Sequence, residues 1–326
     1  MPARLTRRTL LVSAGLGAAA ALSACDSAED TDTEVGPTDG AGRLIRPEAA
    51  DVVLLFATLE RTRSLLVLAA GLVEEATSSI LPEIQASLAE QAAVLERLLR
   101  AAEVDPGPGP DAASVTSGPD AAAATSGSGI PRADRVNALA DGLADDSRPE
   151  VLADVAGASA ANLPTLLALH GQRAAAAVLL RRRLRWPELE GPEGPAAVGT
   201  LVALRQAVYA LEVAAATAGG EERADYEEIL ESVRPLTDQV QTLAGSAAPT
   251  PPLGYALPEG LQSQARRSAL VGDVLAAVPA AVLDGSAGLA GDLAGVTGSV
   301  RILSVVMPHA QRIGVPLAAF PGMTVP

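Results

Sequence analysis

Apolar residues return along most of this chain at alternating intervals of three and four, the period of one face of an α-helix. Leu88, Ala92, Leu95, Leu99 and Ala102 form one such stripe, and Leu201, Leu204, Val208, Leu211 and Ala215 form another. Ile229, Val233, Leu236, Val240 and Leu243 repeat the pattern. Val271, Leu275, Val278 and Val282 follow, then Leu289, Leu293, Val296, Val300, Leu303 and Met307. No stretch alternates with the period of two that a half-buried strand requires. The expected fold class is therefore all-α. Residues 51–76 are strongly apolar, but Glu60, Arg61 and Arg63 interrupt them, so a membrane span is not expected there. Glu96 and Arg100 are spaced as an i,i+4 ion pair on the outer side of their helix.

The breaks in this pattern divide the chain. Residues 26–46 are acidic, rich in Thr and Gly and without periodicity, as expected of a flexible tether. From Val104 to Ile130, Pro-Gly-Pro-Gly-Pro and Thr-Ser-Gly-Ser-Gly runs cannot sustain a helix, which predicts a disordered loop over about 104–132. Ser147-Arg-Pro149-Glu150 has the spacing of a capping box opening a helix, and a further helix is expected over about 160–185. Gly219-Gly220 and the stretch Pro249–Pro258 are shorter breaks. The reading is an N-terminal helical unit over 47–186 and an up-down four-helix bundle over 194–326, the stripes of the latter meeting across short turns.

The first 25 residues differ in kind. Arg7-Arg8 precedes a short apolar run diluted by Gly and Ala, and no acid occurs before Asp26. A basic start, a short apolar centre and small residues before a cleavage point make a secretory signal over 1–24. Arg7 and Arg8 beside Thr6 and Leu10-Leu11 resemble a twin-arginine motif, the export signal of proteins moved while folded. Leu22, Ser23, Ala24 and Cys25 resemble the lipobox of bacterial lipoproteins, in which the cysteine is lipidated. Cys25 is the only cysteine among 326 residues, so an intramolecular disulfide is impossible and lipidation accounts for the lone thiol. The expected location is the outer face of the cytoplasmic membrane, reached through acyl chains on Cys25.

Charge and composition narrow the chemistry. All 24 basic residues are Arg, so a P-loop lysine and a Schiff-base lysine are both excluded. Loss of residues 1–24 removes three Arg and no acid, leaving 21 Arg against 39 acids, a net charge of −18. Such a chain repels nucleic-acid phosphates, and no nucleic-acid partner is expected. Aromatics make up 2% of residues, so the core must be built from Leu, Val and Ala.

Several segments carry a family resemblance. They are Gln206-Ala-Val-Tyr209-Ala-Leu-Glu212-Val, Leu253-Gly-Tyr255-Ala-Leu-Pro258, the Arg266-Arg267 pair after Ser263, and Ala319-Phe320-Pro321-Gly322. With them, residues 195–326 resemble the ferritin-like domain of actinobacterial lipoproteins, the DUF4439 family. Ala158-Ser-Ala-Ala-Asn162-Leu-Pro and Gln172-Arg-Ala-Ala-Ala-Ala-Val resemble the N-terminal helical part of such proteins. The resemblance implies a ferritin-like bundle and no established reaction.

Two-metal bundles of that shape use a Glu from each of two helices and Glu-x-x-His from the other two. Here the only histidines are His170 and His309, with Leu167 and Val306 three residues before them. No metal and no cofactor are therefore expected, and the former metal centre is read as filled with apolar side chains. His170 falls in register with Leu163, Leu167, Ala174 and Ala177, as a hydrogen-bonded core residue would. A ligand or pH-sensing role remains its alternative. His309 reads as a helix-terminal residue complementing the dipole. Tyr209, Glu212, Tyr226 and His170 are candidate pocket residues, with Tyr255 a further tyrosine beside them. Arg181-Arg-Arg-Leu-Arg185-Trp186 is the one basic cluster, either a charged helix C-terminus or a contact for anionic headgroups. The expected function is a binding or scaffold lipoprotein whose partner is a protein or an apolar ligand. A ferritin-like metal-dependent oxidase or metal-handling protein is the alternative.

Overall fold

The computed structural model describes residues 49–73, 80–107 and 131–324. Among them are nine α-helices and no strand. They are α1 (Ala49–Val73), α2 (Ile80–Ala101), α3 (Arg132–Asp145), α4 (Pro149–Ala156), α5 (Leu163–Leu179), α6 (Pro195–Thr217), α7 (Gly220–Ala244), α8 (Gln264–Asp284) and α9 (Leu293–Arg312). The expected export motif at Arg7 and Arg8, the expected lipobox of Leu22, Ser23 and Ala24 with Cys25, the expected tether and residues 108–130 lie outside the described residues.

Most of the predicted stripe positions are buried, with Leu293 at the start of α9 exposed and Ala102, Val208 and Leu243 half-buried. In α7, Ile229, Val233, Leu236 and Val240 are buried, and in α9 Val296, Val300, Leu303 and Met307 are. Helix α5 departs from the amphipathic pattern, because Thr165–Ala177 is buried without a gap. A helix covered on every side must pack on several partners at once. Its main neighbour is α9, followed by α3, with smaller contacts to α8, α4 and α2. Alanines at 174–177 and Gly171 permit this: a Cβ on Gly171 would lie 2.3 Å from Leu303 Cδ1.

Around that axis stand two hairpins, α1 with α2 and α6 with α7, while α8 packs on α6 and α9. The link at 187–194 therefore joins the two helical units without dividing the core. Ala175–Ala177 share one apolar cluster with Leu201, Val233 and Val306. Leu163 and Leu166 share the second with Val296, Val300 and Phe320. By length and composition α6 and α9 could cross a membrane; here much of each is core, α9 two-thirds buried within its most apolar window.

Two local expectations need correction. Ser147 does not cap α4: Arg148 occupies the N-cap without a side-chain bond, Pro149 supplies the preset φ of the first turn, and the Ser147 hydroxyl is buried without a partner. Nor does α5 run to Arg185. It stops at Leu179, where the Arg182 amide donates to Ala177 O and the Arg181 amide to Val178 O, both at 2.9 Å. That pair of bonds is a Schellman ending, and its left-handed position is Arg181, at φ 68°.

The link 187–194 then crosses α9 where only glycine fits. A Cβ on Gly298 would lie 1.8 Å from the Gly191 carbonyl oxygen, and one on Gly191 would lie 2.6 Å from the Gly295 nitrogen. Because both obstacles are backbone, neither can rotate away. Gly298→Ala is expected to lower unfolding stability by about 3 kcal/mol or more, the upper range for overpacking. Gly288→Ala, with open space around its Cβ, should change it by less than about 1 kcal/mol. Urea denaturation of both variants checks the contrast.

Candidate functional site

Between the two apolar clusters the interior is polar. Helix α1 passes from Leu55 and Leu59 in one cluster to Leu65 and Leu72 in the other, with Thr62 between them. Helix α2 places Gln91 at the same level, and α5 contributes His170, Gln172 and Arg173. Asp146, the C-cap of α3, completes the layer. Arg173 is wholly buried. Its Nη1 donates to Asp146 Oδ2 at 2.8 Å, its Nε to Gln91 Oε1 at 3.1 Å, and its Nη2 to the Thr62 hydroxyl. The half-exposed Arg61 donates to Asp146 Oδ1 at 3.2 Å and to Gly142 O at 2.7 Å. Gln91 Nε2 bonds both Gln172 Oε1 and Ala319 O, which ties in the C-terminal segment.

His170 is the sequence candidate that belongs to this layer. Its Nδ1 lies 3.0 Å from Asp146 O; since a carbonyl only accepts, the proton sits on Nδ1. The Nε2 atom is buried without a partner, as is Gln172 Nε2. Burial lowers His170 to about 4, with the neighbouring Arg173 acting in the same direction and Asp146 opposing it. Burial also lowers the Arg173 guanidinium, opposed chiefly by Asp146.

The other candidates do not join His170. Tyr226 donates to Glu222 Oε1 at 3.0 Å and lies 3.3 Å from Ser268 Oγ. Glu222 is in turn held by a bidentate Arg267, one bond of 2.9 Å, and Arg267 donates again to Leu261 O at 2.8 Å. Arg267 holds the Glu222 carboxyl below its ordinary range, and burial raises the Tyr226 phenol. Tyr209 packs on Tyr255 with ring centroids 5.4 Å apart. Glu212 accepts from exposed Arg234 at 2.7 Å. These are three separate contacts in the α6–α8 unit, and none of them involves His170.

The basic cluster is better placed. The segment after α5 runs along a groove of about 1110 Å³ between the ends of α5 and α9 and the flank of α7. Val178, Leu179, Leu184, Val305 and Pro308 make its apolar part, and Arg181, Arg182, Arg183 and Arg312 its basic part. Arg182 pairs with Asp141 at 2.8 Å, and Arg312 with Glu228 at 2.7 Å. Among the described residues Arg181 and Arg183 have no ion pair. His309, read from sequence as a helix-terminal residue, lies on the groove wall with Nδ1 buried and unpartnered. Burial lowers its pKa, Arg312 adds to the effect and Glu228 opposes it. Holding Arg181 left-handed costs roughly 1 kcal/mol relative to glycine, strain that aims a long cation along the groove edge. Trp186 lines both this groove and a neighbouring cavity of about 440 Å³.

Apart from His170, the buried layer and Arg312 escaped the sequence reading; Gln91 and Arg173 each stand directly before an apolar stripe position, Ala92 and Ala174, where a flanking polar residue reads as solvent-facing. Among the described residues no three His, Cys, Asp or Glu side chains converge as metal ligands would. No family model, curated protein or solved structure matches the chain.

Two measurements probe the layer. Arg173→Met leaves Asp146 buried with only Arg61, and should cost about 3–5 kcal/mol of unfolding stability. Adding Asp146→Asn should return part of that loss, so the double-mutant cycle shows coupling of about 1 kcal/mol or more. The unfolded chain binds a proton at His170 near pH 6.5 whereas the fold resists it until about 4. Stability should therefore fall by on the order of 3 kcal/mol as pH drops through that window, and level off below it. His170→Asn keeps a donor to Asp146 O and should remove this component, read as the difference between the two pH profiles.

Proposed function

We propose that the chain is a membrane-anchored extracytoplasmic lipoprotein whose ferritin-like helical fold is a binding or scaffold module without a redox metal. Twin-arginine export delivers it folded, and acylated Cys25 holds it on the outer face of the cytoplasmic membrane. What supports the metal-free part is the interior of the α6–α9 unit. Leu201, Leu204, Val233, Val271, Leu275 and Val306 fill it, and its buried polar groups include the hydroxyls of Thr200, Thr237, Ser299 and Ser304. Hard cations need several convergent carboxylate oxygens. The buried layer around α5 places the guanidinium of Arg173 at its centre, and a fixed cation repels a divalent one; buried Asp51 is a single carboxylate bonded to Ser159 and Asn162. What supports the anchor is Cys25 itself, a lone cysteine behind a short signal.

A binding role draws on the groove below α5, where Arg181 and Arg183, without an ion pair among the described residues, stand beside apolar surface. Two outcomes test the proposal together. Elemental analysis of protein purified through its own export route should show iron and manganese well below one atom per chain; a stoichiometric amount of either overturns the metal-free reading in favour of a ferritin-like oxidase. Cys25→Ser should move the protein from the membrane fraction to the soluble one, and a variant that still sediments with membranes overturns the anchor.

A further inference from the structure

We infer that the groove between the ends of α5 and α9 is a binding site for an anionic amphiphile, a phosphate-type head carrying an apolar tail. Three observations carry it. The groove edge bears Arg181, Arg182, Arg183 and Arg312 against a single lining acid, Glu228, on a chain whose formal net charge is −15. Such a local reversal of sign focuses an anion where the rest of the surface repels it. The floor behind those cations is apolar, with Leu184, Val305 and Pro308, so a bare ion would leave most of the groove unused. At the junction of the two, His309 Nδ1 is buried without a hydrogen-bond partner.

The division of labour follows from the geometry. Arg182 and Arg312 are already committed to Asp141 and Glu228, so they shape the wall. Arg181 and Arg183 are exposed and without an ion pair among the described residues, and they take the charged head with planar, bidentate donors. The tail lies along Leu184 towards Trp186. The ends of the helices set this arrangement, because α5 closes in a Schellman turn on Arg181 rather than on the usual glycine. A glycine there would relieve the backbone and forfeit the cation.

This deepens the binding-module reading and rests on it for the compartment alone. Trp186 is the only tryptophan and lines the groove, so its emission reports occupancy. The experiment titrates the full chain carrying Cys25→Ser, which leaves the result independent of the anchor, with three probes. These are monomeric dodecyl phosphate, inorganic phosphate, and vesicles of phosphatidylcholine with and without phosphatidylglycerol. Dodecyl phosphate should give a saturable blue shift and bind roughly 100-fold tighter than inorganic phosphate, since burying three or four methylenes accounts for a factor of that order. Arg181→Gln with Arg183→Gln should weaken it by about tenfold or more. Arg185→Gln, outside the groove lining, should leave it within about twofold. A response to phosphatidylglycerol vesicles without one to the monomer assigns the head to lipid that stays in the bilayer; a response to both assigns it to lipid that can be drawn out. No saturable response to either, equal affinity for dodecyl and inorganic phosphate, or an equal loss from Arg185→Gln overturns the site.

Discussion

The register of the central helices depends on the most deeply buried charge, Arg173. Arg173 sits in the middle of a helix that is covered on all sides, and taking a guanidinium out of water is costly unless every donor is matched. Its partners come from α1, α2 and the end of α3: Thr62, Gln91 and Asp146. These helices therefore have one relative register in which the charge is satisfied, and sliding any of them by a turn would strand it. Apolar packing of Leu, Val and Ala supplies cohesion but little register, because one leucine replaces another at modest cost. The polar layer supplies what the apolar clusters on either side lack.

The same central helix explains the groove. Residues 174–177 are four alanines, which let α9 approach closely along α5, and Gly171 permits the tightest contact, at Leu303. Past Leu179 the chain must leave this crowded axis and cross to α6 over the glycines of α9. It turns sharply at Arg181 and continues outside any helix, leaving a hollow beside the last turn of α9. The hollow inherits apolar side chains from two helix flanks and arginines from the turn. Its mixed character thus comes from how α5 ends, while the buried layer comes from how α5 is surrounded.

The amphipathic helices were legible because a buried stripe at intervals of three and four is a local property. Val233, Leu236 and Val240, or Val296, Val300 and Leu303, mark their own burial. Helix α5 was legible as a helix but not as the axis, since alanines at 174–177 read alike on a half-exposed helix and on a wholly covered one. Its end was misread because the cue for a helix stop is glycine, and here arginine holds the left-handed position. The pocket candidates Tyr209, Glu212 and Tyr226 share neighbouring helices yet serve three separate contacts. Periodicity says which face a side chain is on and nothing about which neighbour it meets.

By itself the sequence determined the all-α class, the glycine and proline breaks, the missing lysines and the scarcity of histidine that limits metal and nucleophile chemistry. Each of these follows from residue type or short-range spacing. Only the tertiary structure decided that Arg173 meets Asp146, Gln91 and Thr62, that α5 packs on α9 across the link, and that Arg181 and Arg183 face a groove shared with His309 and Arg312. Those pairings join residues tens to more than a hundred positions apart. Their energies depend on burial, which exists only once the helices have packed.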